Sequence, residues 1–166
     1  RGTCSAIWNA ARKSLRTNME PKFEYAFTIH LTLKRPVFIG SGRAAVYLES
    51  GVVEGPKLKG RVLPDSGGDW AEMRADGVLV FDARYLLEAE DGTVIYLQNR
   101  GYRWGPPEVM QRLNTGQPVD PAEYHMRVTP WFEVAAGPHD WLARHVFVGV
   151  AERTPTGNSI HYYQVL

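Results

Sequence analysis

A chain of 166 residues can bury one substantial core and is read as a single domain. Nineteen basic against eighteen acidic residues leave a net charge of +1 with no single-sign block, which excludes the basic stripe of a nucleic-acid binder. No run of about 18 apolar residues occurs, so no membrane span is expected. The single cysteine, Cys4, excludes an internal disulfide framework and fits a reducing, cytoplasmic setting.

Residues 1–18 stand apart. They are basic, contain no acidic residue, and precede Met19. An amphipathic helix over Ser5–Leu15 would put Ile7, Ala11 and Leu15 on one side. The segment lacks the continuous apolar core of a secretory signal. It reads as an extension, non-native or processed, ahead of a domain spanning 19–166.

From Phe23 the hydrophobic period is two. Phe23, Tyr25, Phe27, Ile29, Leu31 and Leu33 share one face and predict a long half-buried strand ended by Pro36. Ser41-Gly42 marks a turn, and Arg43–Glu54 predicts a strand interrupted at Ser50-Gly51. Leu58–Leu63 is a short strand before Pro64-Asp65. Gly67–Gly101 then reads as three strands separated by Asp76-Gly77 and Asp91-Gly92, because glycine accepts the positive φ that a tight turn requires. A two-residue loop at Asp91-Gly92 sets Leu87 opposite Tyr96 and Ala83 opposite Arg100. One face then carries Phe81, Ala83, Tyr85, Leu87, Tyr96, Gln98, Arg100 and Tyr102, while the other carries Asp82, Arg84, Leu86, Glu88, Ile95, Leu97 and Asn99. A bulge at the turn would shift every pairing by one. Both faces mix apolar and ionisable groups, as in a sheet closed around a partly polar cavity.

Pro106-Pro107, the apolar positions Val109, Met110 and Leu113, and Gly116 predict a short helix over Pro107–Asn114. Tyr124–Val134 returns to strand. A helical turn is expected around Trp141-Leu142, and Arg144–Glu152 and Ser159–Val165 close the chain as two strands. Nine or ten strands at this spacing, on the order of 8–12 residues per turn signal, describe a sandwich or a barrel.

Several groups are candidates for chemistry. Arg84, Tyr85, Tyr96, Arg100, Tyr102, Tyr124 and Arg127 interleave guanidinium groups with aromatic rings. That combination holds an anionic oxygen while clamping a planar scaffold. Asp82 and Arg84 are two apart on one strand and share a face, as an ion pair or as a tuned base beside a cation. Asp69-Trp70 adds a carboxylate and an indole wall, and Glu54 with Lys59 is a further candidate pair. The five histidines show no metal-ligand spacing. Neither a phosphate-cradling glycine loop nor a nucleophile elbow is present. No metal or cofactor is therefore expected, and acid–base chemistry is what remains.

Four stretches, GVVEGPKLKGRVLPDSGGDW, DGVLVFDARYLLEAEDGTVIYLQNRG, GPPEVMQRLNTGQPVDPAEYHMRVTPWFEV and WLARHVFVGVAERTPTGNSIHYYQVL, closely resemble the domain-of-unknown-function 3237 family. The resemblance runs from about Glu20 to Leu166. It implies one small lipocalin-like antiparallel β-barrel with a central cavity. Some family members in natural-product pathways are linked to ring-closing additions of an oxygen nucleophile to an activated alkene. The family commonly reads Trp-Leu-Asn where this chain has Trp141-Leu142-Ala143, which would remove an amide hydrogen bond if that position lines the cavity.

The expectation is an all-β, single antiparallel barrel with one short helix near a mouth. It would act as a cofactor-independent lyase, isomerase or cyclase on a planar oxygenated molecule. In this reading Asp82 or Asp69 moves a proton and Arg100 and Arg127 hold an anionic oxygen, while Trp70, Arg84, Tyr96 and Tyr124 complete the substrate site. The alternative is a ligand-binding barrel without chemistry. The expected partner is a small molecule, with no nucleic acid or membrane, and a homodimer is compatible with the chain.

Overall fold

The computed structural model describes residues 20–166, so Cys4 and the predicted extension helix lie outside the described residues. In chain order the strands are β1 (Phe23–Leu33), β2 (Val37–Ile39), β3 (Arg43–Glu54), β4 (Gly60–Val62), β5 (Gly68–Met73), β6 (Leu79–Ala89) and β7 (Val94–Trp104). A helix, α1 (Pro107–Asn114), and a 3-10 turn (Pro121–Glu123) follow. Then come β8 (His125–Val134), a second 3-10 turn (Asp140–Ala143), β9 (Phe147–Arg153) and β10 (Gly157–Val165). The helix has the predicted bounds, with proline in its first turn and Gly116 at φ +75° just past its end.

Antiparallel pairing runs from β1 through β10, β9, β8 and β7 to β6, and β3 pairs back with β1. Between β6 and β3, β4 and β5 fill one strand position in succession. The sheet therefore closes as an eight-stranded barrel, which leaves the eight principal strand positions without a free edge. The short β2 adds only to the beginning of β3. Among the described residues no helix is long and apolar enough to cross a membrane.

The two ends of the barrel differ. At one end Phe27, Phe132, Phe147 and Tyr162 pack edge-to-face or tilted, with ring centroids 5.1–6.2 Å apart. The Asp140–Ala143 turn caps them with Leu142, which is fully buried, and with Trp141, 5.6 Å from Phe147. This end is closed by hydrophobic packing. Ala143 is exposed on its outside, so the departure from the family's Trp-Leu-Asn pattern does not reach the interior. At the other end the inner residues are less covered. Along β6, Tyr85, Leu87 and Ala89 are buried, whereas Leu79, Phe81 and Ala83 are only half-buried. That end is an open mouth, with α1 on its β7–β8 side.

Three local readings are corrected by the structure. The Asp91-Gly92 turn is a three-residue loop: Gly92 N–H donates to Ala89 O, Ala89 N–H donates to Thr93 O, and Gly92 takes φ +84°. This is a turn closed by a glycine bulge. It places Leu87 opposite Ile95 and Asp82 opposite Arg100, one residue away from the two-residue-loop register. Next, a bulge between Tyr25 and Phe27 turns the start of β1 over, so Phe23 and Tyr25 leave the core face and Phe23 is 56% exposed. Finally, β3 is continuous through Ser50-Gly51. Gly51 is required by contact rather than by a break, since a Cβ there would lie 2.5 Å from Val62 and 2.9 Å from the His30 carbonyl.

Candidate functional site

The corrected β6–β7 register sorts the candidate residues. Phe81, Ala83, Tyr85 and Leu87 share the inner wall with Ile95, Leu97 and Asn99, all buried or half-buried. Asp82, Arg84, Tyr96, Gln98, Arg100 and Tyr102 lie on the outer wall. The expectation that Arg100 enters a cavity with Tyr96 is thereby overturned: the Arg100 side chain is 64% exposed, and Tyr96 packs edge-on against the outer Trp131 at 5.9 Å. Arg127 is exposed on the outer wall of β8 and donates to the Met126 carbonyl. Trp70, also outside, meets Tyr47 edge-on. Glu54 faces His30 at 3.0 Å rather than Lys59.

The outer residues form a cleft of about 450 Å³ along Arg43, Trp70, Glu72, Asp82, Arg100 and Tyr102. Its charged groups already have partners of opposite sign. Arg43 meets Glu72 at 2.7 Å, and Asp82 takes a hydrogen bond from Gln98 at 2.9 Å with Arg84 at 3.4 Å and Arg100 at 3.5 Å. Partial burial pushes the Asp82 carboxyl up. Hydrogen bonds from Gln98, Arg84 and Arg100 outweigh that and hold it below the usual carboxylate range. Such a carboxylate is a weak base. Because these ion pairs are largely solvated, Asp82→Asn is expected to change stability by less than about 1 kcal/mol in urea denaturation. A loss above about 3 kcal/mol would instead mark a buried, indispensable pair.

The inner wall is different. Val46, Asp69, Ala83 and Asn99 lie on one continuous rung across β3, β5, β6 and β7, with Tyr85 one inward step nearer the closed end. Asp69 Oδ1 accepts the Asp82 N–H at 2.9 Å where β5–β6 backbone pairing lapses. Asp69 and Asp82, neighbours through that bond, thus serve opposite sides of the wall. Burial is the main cause that raises the Asp69 carboxyl to about 6; the Asp82 amide lowers it, and the Asp82 charge raises it further.

Across the barrel interior, Asn99 Nδ2 donates to Tyr162 Oη at 2.9 Å. Burial raises both the Tyr85 and Tyr162 hydroxyls above the usual phenol value, so both stay protonated. Tyr85 Oη, Asn99 Oδ1 and, nearer the mouth, Arg103 Nε are buried without a hydrogen-bond partner. A buried unpaired polar atom loses about 1–3 kcal/mol, so three along one wall mark a place shaped for something polar. At the mouth Tyr124, itself buried, accepts the Arg153 N–H at 2.9 Å. Of the sequence-selected residues, Asp69, Tyr85 and Tyr124 face inward. Asn99, Tyr162, Arg103 and Arg153 were missed, although the bulged register would have given the cleaner apolar face and brought Asn99 onto it. Among the described residues no group of three His, Cys, Asp or Glu is positioned to hold a metal.

Known proteins share this architecture. A UPF0311 protein of Clostridium acetobutylicum is 34% identical over 151 residues, covering 88% of this chain and 95% of its own length. The crystal structure of a protein of unknown function from Rhodopseudomonas palustris matches with a TM-score of 0.85 at 34% identity, covering 89% of this chain and 98% of that one. A beta-barrel like protein from Acinetobacter baumannii matches at 0.75 and 33% identity, covering 89% and 97%. An enzyme from Penicillium herquei matches at 0.66 and covers 88% and 95%; at 22% identity this is a likeness of fold alone. Residues 21–165 match the family described as protein of unknown function (DUF3237), and this chain belongs to it.

Proposed function

We propose that the protein is a small-molecule-binding barrel whose interior carries cofactor-independent acid–base chemistry, of lyase, isomerase or cyclase type, on a planar oxygenated substrate. The observation that carries this reading is Asp69, an inner-wall carboxyl with a pKa of about 6 on the same rung as an unpaired buried Asn99 oxygen. At pH 7 such a group is mostly ionised yet close enough to its pKa to take and return a proton. The Tyr85 hydroxyl stays protonated and neighbours the Tyr162 hydroxyl without a well-formed hydrogen bond, so it can turn to donate to an oxygen that gains negative charge. Half-buried Phe81 and Ala83 offer an apolar wall to a flat ring.

The roles follow from that arrangement. Asp69 removes a proton from the substrate, Tyr85 hydrogen-bonds the developing oxyanion, and Asn99 orients the substrate while holding Tyr162. Native mass spectrometry identifies a retained small molecule, and turnover and affinity are then measured together on Asp69→Asn. Turnover is expected to fall by about 10²–10⁴ with affinity kept within a few-fold. Unchanged turnover would remove Asp69 from the chemistry. Tight binding without conversion by the unmodified protein would favour the second reading, a non-catalytic binding barrel, for which the unpaired polar wall alone suffices.

A further inference from the structure

The open mouth contains two arginines that the acid–base site does not use. Arg103 has the inner parity of β7, two steps beyond Asn99. Arg153 ends β9 and is anchored through its backbone N–H to the Tyr124 hydroxyl. Their side-chain hydrogen bonds go to neutral amides: Arg103 Nη2 to Asn114 Oδ1 of α1 at 3.1 Å, and Arg153 Nη1 to Asn158 Oδ1 at 3.2 Å. Among the described residues neither forms an ion pair with a carboxylate, in contrast to Arg43, Arg61, Arg84, Arg100, Arg112 and Arg144. Arg103 Nε is buried with no partner at all. Register brings the two arginines together: Met126 of β8 lies opposite Arg103, and Tyr124, two residues earlier, takes the Arg153 N–H, so one strand separates them at the mouth. Burial and then the Arg153 charge lower the Arg103 pKa.

Two like charges held together, one of them largely desolvated, are unfavourable unless an anion arrives between them. The amide contacts from Asn114 and Asn158 fix each guanidinium without neutralising it, which leaves its other N–H groups for a planar, two-oxygen acceptor. We propose that Arg103 and Arg153 form a carboxylate clamp at the open mouth, so that the molecule taken up is an elongated planar carboxylic acid. This rests on the interior site described above and names its substrate class. Arg103 lies four residue steps along β7 from Asn99, or roughly 13 Å of strand. The carboxylate therefore sits at the far end of the molecule from the atoms near Asp69, with the flat body lying along Phe81 and Leu79. Tyr124 and Met110 close the α1 side.

The test uses 2-naphthoate, 2-naphthamide and 2-naphthyl phosphate as probes, with dissociation constants from calorimetry on the whole protein. Naphthoate is expected to bind, naphthamide to bind at least about tenfold more weakly, and the phosphate to give no advantage over naphthoate. Arg153→Gln, at the exposed rim, should weaken naphthoate about ten- to hundredfold and leave naphthamide unchanged. Arg103→Gln should do the same. Arg103→Lys restores charge without the fork and should recover part of the loss. Circular dichroism melts identify any variant that fails to fold, and the rim variant keeps the test decisive. Equal naphthoate affinity in the unmodified protein and the folded Arg153→Gln variant would overturn the clamp, as would naphthamide binding as tightly as naphthoate. A preference for the phosphate would replace the carboxylate with a phosphate monoester. Asp69→Asn separates the two ideas: if naphthoate binding depends on the arginines but turnover survives loss of Asp69, the clamp stands and the acid–base reading falls.

Discussion

Asp69→Asn is expected to change its stability relative to the unmodified protein by about 2 kcal/mol between pH 4 and pH 8, in the direction that favours the asparagine variant at high pH. Burial raises the Asp69 pKa from 3.8 to about 6 in the folded protein, so the folded state binds that proton more tightly than the unfolded chain. The stabilisation from protonation is fully present below the unfolded value and is lost as pH rises through about 6. Above that, the native protein holds a desolvated carboxylate that asparagine lacks. Asparagine keeps an oxygen for the Asp82 N–H, so the backbone link between β5 and β6 survives. The new amide N–H groups need partners of their own, which offsets part of the gain at any one pH by about 1–3 kcal/mol. The pH dependence of the difference is therefore the cleaner quantity. Urea denaturation of both proteins at pH 4, 6 and 8 measures it. A difference independent of pH would mean that Asp69 titrates as an ordinary solvated carboxylate, and the acid–base reading would lose its base. If turnover also falls in the same variant, the protein gives up stability at neutral pH in exchange for a reactive group.

Phe132→Ala is expected to destabilise the barrel by about 3–5 kcal/mol. Phe132 is 2% exposed and touches Phe27, Phe147 and Tyr162 through edge-to-face ring contacts at 6.0, 5.3 and 6.2 Å. Its removal leaves a hole that four strands and the Asp140–Ala143 turn cannot collapse to fill without opening the closed ladder. A domain whose total stability is about 5–15 kcal/mol would then be near unfolding at 37 °C. The midpoint of urea unfolding measures the loss. A loss below about 1 kcal/mol would mean that this end is loosely packed and that the barrel is open at both ends. The contrast with Asp82→Asn on the outer wall is a test of the inside–outside assignment itself, because the two effects differ several-fold.

Inside and outside could not be read directly from the chain, and the β6–β7 hairpin explains why. Alternation states which residues of one strand share a face. It does not state which face is inward, nor how two strands are paired. That depends on a single residue in the turn, since the side-chain period is two and a slip by one exchanges the faces. Asp91-Gly92 announced the hairpin, and Gly92 at φ +84° made it a bulged one. The consequence is that Arg100 is outside and Asn99 inside. The apolar residues held the clue: the bulged pairing joins Ile95 and Leu97 with Phe81, Tyr85 and Leu87 on one face. A similar shift at Tyr25–Phe27 moved Phe23 and Tyr25 out of the core. At Ser50-Gly51 the glycine signalled a close approach rather than an interruption, which only the neighbouring backbone could reveal.

The sequence by itself determined the all-β class, the location of the principal strands, the helix bounds and the family, because period, proline–glycine punctuation and long shared motifs are local properties. It also brought forward Asp69, Tyr85 and Tyr124. Tertiary structure alone decided that Asp69 and Asp82 look to opposite sides of one wall, and that Asn99 and Arg103 of β7 share the inner side of the barrel with Tyr162 of β10 and the mouth with Arg153 of β9. The physical reason is closure. A barrel joins β1 to β3 and β10 only when every register is set, so the contents of its interior belong to the whole sheet and to no single stretch of sequence.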